Sequence, residues 1–334
     1  MPMLWLQIAL SLDISPGMSM RVLSRHGLSR REFFARALAA SSTAALWRGG
    51  AWSCLAAQKT VPPIVVFSKV YQALKLSFED AAAVTAEAGL DGVDCPVRPG
   101  GEILPERAAE EMPRYVAALR KRSLDMPLLT TAITSTASPH TEEILGTAKR
   151  LGAQFYRLGF IERELAIPAK KQCREMKAQL KDLAALNQQI GIGAIVQNHS
   201  PAGRTYLGGD LTELIDIVQG FGPAQIGVAF DIGHALMVHG DQWRAHFEKL
   251  KPHIKVLYVK DVTRDGHWLP FGQGAIGGLG YFKLLRQMGY RAPISLHVEF
   301  DWTEQGKSKT RAALVKALGD SARVLKRWLE EAQG

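Results

Sequence analysis

The sequence predicts an α/β fold: a single (β/α)8 barrel over residues 59–334, preceded by a cleavable export segment over residues 1–58. Three observations predict it. Eight short apolar runs recur from Val61 onward, with ends near Phe67, Asp94, Thr130, Arg157, Gln197, Asp231, Lys260 and Glu299. Neighbouring ends lie 27 to 40 residues apart, the length of one strand–loop–helix unit. The runs are continuously apolar rather than alternating, as expected of strands buried on both faces. Helices between successive strands imply parallel pairing, and eight such units close most simply into a barrel. An open doubly wound sheet is the competing topology. It places a Gly-rich phosphate loop after its first strand, and "FSKVYQALKLS" has none.

The elements follow in order. "PIVVF" is the first strand, and Ser77 with Asp80 forms a capping box for the helix after it. Gly89 stops that helix before "DGVD". "DMPLLT" is the third strand; Ser138–Pro139 then places a cap before a proline at a first helical position. Gly152 ends the third helix before "AQFYR", and Gly191 ends the fourth before "GAIVQ". Asp210 with Glu213 caps the helix leading to "IGVAFD". "KVLYVK" and "PISLHVE" complete the set, with Gly289 before the last.

Composition narrows the function classes. The chain has 334 residues, 47% hydrophobic and 22% charged, which fits a globular protein with a substantial core. The net charge of +9 includes no long run of Lys or Arg, so no nucleic-acid partner is expected. Cys54, Cys95 and Cys173 form no CxxC pair, which argues against a zinc finger or a disulfide scaffold. Cys95 and Cys173 can pair only if the fold brings them together.

Leu28 to Gln58 has the order of a twin-arginine export signal. Arg30 and Arg31 precede Phe33 and Phe34, an Ala-rich apolar region follows, and small residues near Ala56 and Ala57 offer a cleavage site. The apolar region is too short and polar for a membrane span of about 20 residues. The expectation is a periplasmic or otherwise exported protein that engages the twin-arginine translocase, with no membrane span in the mature chain.

In a barrel of this kind, side chains at the C-terminal strand ends face one rim, where the chemistry sits. Asp94, Arg157, Gln197, His199, Asp231, His234, Lys260 and Glu299 would then converge. So many ionisable groups around one cavity carry a desolvation cost that a ligand or metal offsets.

The segments "DGVDCPVRPGGE" (91–102), "FYRLGF" (155–160), "QNHS" (197–200), "FDIGHA" (230–235), "VKD" (259–261), "WLPFGQGAI" (268–276) and "SLHVEFD" (295–301) resemble the xylose isomerase-like barrels. That family includes sugar-phosphate isomerases and D-tagatose 3-epimerase-like enzymes and, more distantly, endonuclease IV. The resemblance runs from Val61 to Trp328. It implies a divalent metal (manganese, magnesium or zinc) held by a Glu after strand five, an Asp after strand six, a His after strand seven and a Glu after strand eight. Asp231 and Glu299 match two of these. Gln197 stands where the first Glu would be, and Tyr258 where the His would be. An amide oxygen can ligate a hard cation but brings no charge, and a phenol titrates near 10. His199 is the substitute ligand on strand five. The expected metal set is therefore Asp231, Glu299, Gln197 and His199.

Roles follow. Glu299 is the candidate general base, with a pKa raised at a desolvated mouth; the alternative is an ion pair with Lys260. Asp231 ligates the metal or caps the next helix. His199 is a ligand or the second acid/base group. Lys260 stabilises an enolate oxygen and becomes the main electrophile if no metal binds. His234, Arg157, Asn198 and Arg98 bind substrate, and Trp268 with the Gly272–Gly274 loop covers the pocket. His297 shares the face of Glu299 by period two. The expected activity is that of a sugar isomerase or epimerase, removing a proton next to a carbonyl of a sugar or keto-sugar. The alternatives are β-elimination from a 3-keto-glycoside and a non-catalytic sugar-binding barrel.

Overall fold

The computed structural model describes residues 61–303 and 308–332. The twin-arginine segment, with Arg30, Arg31 and Cys54, lies outside the described residues. Eight parallel strands close a barrel: β1 (Ile64–Phe67), β2 (Gly92–Val97), β3 (Asp125–Thr131), β4 (Phe155–Arg157), β5 (Gly193–Gln197), β6 (Ile226–Asp231), β7 (Ile254–Val259) and β10 (Ile294–Leu296). β1 closes the ring, with Val66 opposite both Leu296 and Val93. Every expected apolar run supplies one of these strands.

Between them lie helices α1 (Phe78–Glu87), α2 (Ala108–Arg120), α3 (Thr141–Leu151), α4 (Ala169–Ile190), α5 (Leu211–Val218), α6 (Ile232–His239), α7 (Trp243–Leu250) and α8 (Tyr281–Gln287); α9 (Arg311–Glu331) follows β10. The Ser77 and Asp210 side chains each accept a backbone N–H of the first turn of α1 and α5, contacts worth about 1 kcal/mol each. Gly191 ends α4 at φ +79°, a left-handed conformation that other residues adopt at a cost.

The strands are apolar on both faces because both are buried. Outward, they pack on the helices in one large core that includes Val66, Val93, Leu129, Phe230 and Leu296. Inward, Leu128, Ile195, Ala229, Val256 and Tyr258 fill the barrel as a separate small core. The interior is therefore plugged by side chains, and ligand-binding groups must come from the ends of the strands.

Three details depart from the sequence expectation. Pro139 does not open a helix. The Ser138 hydroxyl instead accepts the N–H groups of Thr134 and Ser135, closing a turn, and α3 starts at Thr141. The last strand stops at Leu296 instead of reaching Glu299. Finally, β8 (Asp261–Val262) and β9 (Trp268–Leu269) form a small antiparallel sheet after β7 that the apolar runs did not announce. Cys95 and Cys173 are both buried and free. No described helix is long and apolar enough to cross a membrane.

Candidate active site

β6 and β7 end side by side, with Asp231 opposite Tyr258. Asp231 caps α6 by accepting the His234 N–H at Oδ1. Its Oδ2 accepts from Gln197 Nε2 at 3.1 Å and from the Lys260 ammonium at 3.1 Å. Lys260 also lies 2.9 Å from His234 Nε2. The Asn198 side chain clamps the Asp231 backbone from both sides, donating to its carbonyl and accepting its N–H. Asp231, His234, Asn198 and Lys260 are all buried.

Hydrogen bonding sets the protonation pattern of the histidines. An ammonium has only donors, so His234 Nε2 accepts from Lys260. The proton of His234 is then on Nδ1, facing Ser200 Oγ at 2.9 Å. Burial, and next the Lys260 charge, hold the His234 pKa well below its usual value, so the ring is neutral. The His199 ring lies against that of His234 with centroids 3.8 Å apart. His199 Nδ1 is 2.7 Å from the Ser200 carbonyl. That contact requires a proton on Nδ1 and leaves Nε2 with a free lone pair. Burial lowers the His199 pKa as well, partly offset by this bond. At neutral pH His199 is thus held in its base form.

Arg157, at the end of β4, is buried; it donates to the Leu158 carbonyl and lies over the Phe160 ring, 4.3 Å from its centroid. Asp94, from β2, reaches inward and accepts from Thr130 on β3 and Ser295 on β10. Burial raises its pKa to about 6 despite these bonds. Arg98 is only half-buried and lies 6.0 Å from the Phe67 ring.

A lid is built on Asp261. Its carboxylate accepts four backbone N–H groups, from Val262, Gly272, Gly274 and Ile276. These bonds fold the 268–276 segment over the lysine, with the Trp268 ring 5.0 Å from Lys260 Nζ and 5.3 Å from the His234 ring. A Cβ on Gly274 would stand 2.3 Å from Asp261 Oδ1, so only glycine allows this approach.

Two expectations about Glu299 require correction. A desolvated base at the mouth was expected, but Glu299 is exposed. It lines a shallow groove of about 210 Å³ with Phe67, Lys69, Trp302 and Lys309. The ion pair expected with Lys260 is replaced by the pair with Asp231. Because β10 ends at Leu296, the buried side chain at this strand end is His297. Period two placed His297 on the face of Glu299; the error lay in extending the strand to Glu299.

The metal set suggested by the sequence is not assembled. Gln197 donates to Asp231 and Glu299 lies out in its groove, which leaves His199 Nε2 as the one nitrogen of the set with a free lone pair. The one charged donor, Asp231, already holds an ammonium. Among the described residues no three His, Cys, Asp or Glu side chains are grouped to hold a metal. The donor set, so arranged, does not fit a divalent ion.

Comparison with known proteins agrees with this architecture. Among solved structures, D-psicose 3-epimerase from Clostridium cellulolyticum H10, crystallised with D-tagatose, is similar at a TM-score of 0.64 and 11% identity, covering 80% of this chain and 99% of the other. A D-tagatose 3-epimerase-like protein is similar at 0.61 and 19% identity, covering 81% and 98%. The 3-keto-D-glucoside 4-epimerase from E. coli gives 0.61 and 12%, covering 80% and 100%. No curated protein sequence matches the chain. The family model described as xylose isomerase-like TIM barrel matches residues 82–328, from α1 into α9, and the chain therefore belongs to the xylose isomerase-like TIM barrel family.

Proposed function

We propose that the protein is a sugar isomerase or epimerase that moves a proton next to a carbonyl carbon, with Lys260 as its resident cation. One observation carries the reading: a buried ammonium is held by Asp231 and His234 through two of its three N–H groups, close to an imidazole in its base form. The third N–H is the electrophile for a substrate oxygen.

The step follows from these groups. His199 Nε2 takes the proton from the carbon beside the carbonyl, and the C–H electron pair moves into the enediolate. The negative charge grows on the oxygen held by Lys260, in a buried setting where such an interaction counts most. For isomerisation the imidazolium returns the proton to the neighbouring carbon while that carbon's hydroxyl proton passes to the oxygen held by Lys260; for epimerisation a solvent-derived proton adds to the opposite face and the imidazolium gives its own proton back to solvent. Arg157 and the clamped Asn198 orient hydroxyl groups, and Trp268 excludes water. One base suffices to begin β-elimination from a 3-keto-glycoside, so the lyase reading shares this first step and differs in its product.

Keto-sugars are the substrates to test first, because the similar structures include a D-psicose 3-epimerase and a 3-keto-D-glucoside 4-epimerase. We further propose, from Arg30, Arg31 and the Ala-rich segment alone, that the chain is exported through the twin-arginine translocase and meets free sugars or glycosides. The test is transfer of solvent deuterium into D-psicose, D-tagatose, D-fructose and a 3-keto-D-glucoside, with product analysis separating isomer, epimer and elimination product.

A further inference from the structure

His297 is 4% exposed and lies just past the end of β10. Its Nε2 is buried without a partner. The ring is fixed from two sides: it stacks on Phe67 at 4.7 Å between centroids and lies tilted against Tyr258 at 4.5 Å. Its backbone N–H donates to the Val259 carbonyl, the residue before Lys260. A buried polar nitrogen with no partner costs about 1–3 kcal/mol, and such groups in folded proteins call for a specific explanation. A leucine or phenylalanine between these two rings would pack at no such cost.

We infer that His297 is a substrate-binding residue whose Nε2 exchanges a hydrogen bond with a sugar hydroxyl. The inference rests on the sugar reading above and adds the residue that anchors the substrate on the β10 side of the mouth. A hydroxyl suits this nitrogen because it both donates and accepts, so either neutral tautomer of the ring is served. The neighbouring charges agree with a neutral ring. Burial first, then Lys260, Arg157 and Lys69, keep the imidazole uncharged well below its usual pKa. A carboxylate at this position would instead form an ion pair with Lys260 or Arg157 and compete with Asp231.

The experiment compares wild type, His297→Phe and His297→Gln. Calorimetric titration with D-psicose, D-tagatose, D-fructose and a 3-keto-D-glucoside reads affinity; thermal unfolding without sugar reads stability. The Phe variant keeps both ring contacts and removes the orphan nitrogen. It is expected to melt no lower than wild type and to bind sugar about tenfold more weakly. The Gln variant, which restores a donor and an acceptor, is expected to recover part of the affinity. A Phe variant that binds as tightly as wild type overturns the inference, and so does one that melts lower while the Gln variant does not. A wild type that binds none of the four sugars contradicts the sugar reading itself and removes this inference with it. A wild type that binds, beside a Phe variant that binds equally, removes the inference alone.

Discussion

Lys260 Nζ and Asp231 Oδ2 lie 3.1 Å apart at the ends of adjacent strands, both side chains buried. Removing either partner strands the other charge in the interior. Lys260→Met is expected to cost about 3–5 kcal/mol of stability. The double variant Lys260→Met/Asp231→Asn is expected to regain much of it while staying inactive, because the pair serves the reaction more than the fold. Urea unfolding of the three proteins checks this. A double variant no more stable than the single one contradicts the pairing.

With an ammonium bonded to the one charged donor, the protein is expected to lose neither activity nor melting temperature on dialysis against a chelator. Added manganese or magnesium should raise the melting temperature by less than one degree or so, since a ligand stabilises only through tight binding to the folded state. A stoichiometric tightly held metal in the purified protein, with a melting shift on its removal, would contradict the donor geometry.

Asp261 is expected to govern the lid rather than the chemistry. Asp261→Ala leaves four backbone N–H groups without their acceptor, at a cost of about 2–4 kcal/mol after water recovers some of them. The amides of Gly272, Gly274 and Ile276 should exchange hydrogen at least tenfold faster, and KM should rise more than kcat falls. Hydrogen exchange read by mass spectrometry checks the first, steady-state kinetics the second. Unchanged exchange over 268–276 would show that Asp261 does not hold the segment.

Two sets of buried groups give stability a pH dependence of opposite sign. Asp94 titrates near 6 when folded and near 3.8 when unfolded, so the folded state holds the extra proton. Its contribution is present below about pH 4 and is lost as pH rises through 6. His234 and His297 have depressed folded pKa values. The unfolded chain takes protons that the folded one refuses, so stability falls as pH drops below 6.5. Asp94→Asn is therefore expected to abolish a loss of about 1–3 kcal/mol between pH 4 and 6. His297→Phe is expected to soften the fall on the acid side. Melting curves from pH 4 to 8 read both; an Asp94→Asn variant with the wild-type slope contradicts the burial argument.

The barrel was legible because strands covered on both faces are largely apolar, and short runs of this kind recurred at the spacing of one strand–loop–helix unit. Gln197, Asp231 and Lys260 could be placed at one rim because each ends such a run, and Asn198 and His234 because they lie within three residues of one. Glu299 was misplaced because strand length is not written in polarity. "SLHVE" alternates polar and apolar residues as far as Glu299, yet the final ladder bond is the N–H of His297 to the Val259 carbonyl. The pairing of Lys260 with Asp231 was hidden for another reason. A sequence lists charges at strand ends without saying which two will meet, and the metal expectation gave Asp231 a different partner. The fourfold role of Asp261 depends on a loop folding back over ten residues, which no local pattern encodes.

Solvent deuterium incorporation into keto-sugars, without added metal, tests the central claim most directly. The account predicts that the wild type labels the carbon beside the carbonyl of at least one of D-psicose, D-tagatose, D-fructose or a 3-keto-D-glucoside. It predicts that Lys260→Met slows this by about a hundredfold or more, and that His199→Gln slows it comparably. Wild-type protein that labels none of them, or a Lys260→Met variant that labels at the wild-type rate, would contradict it.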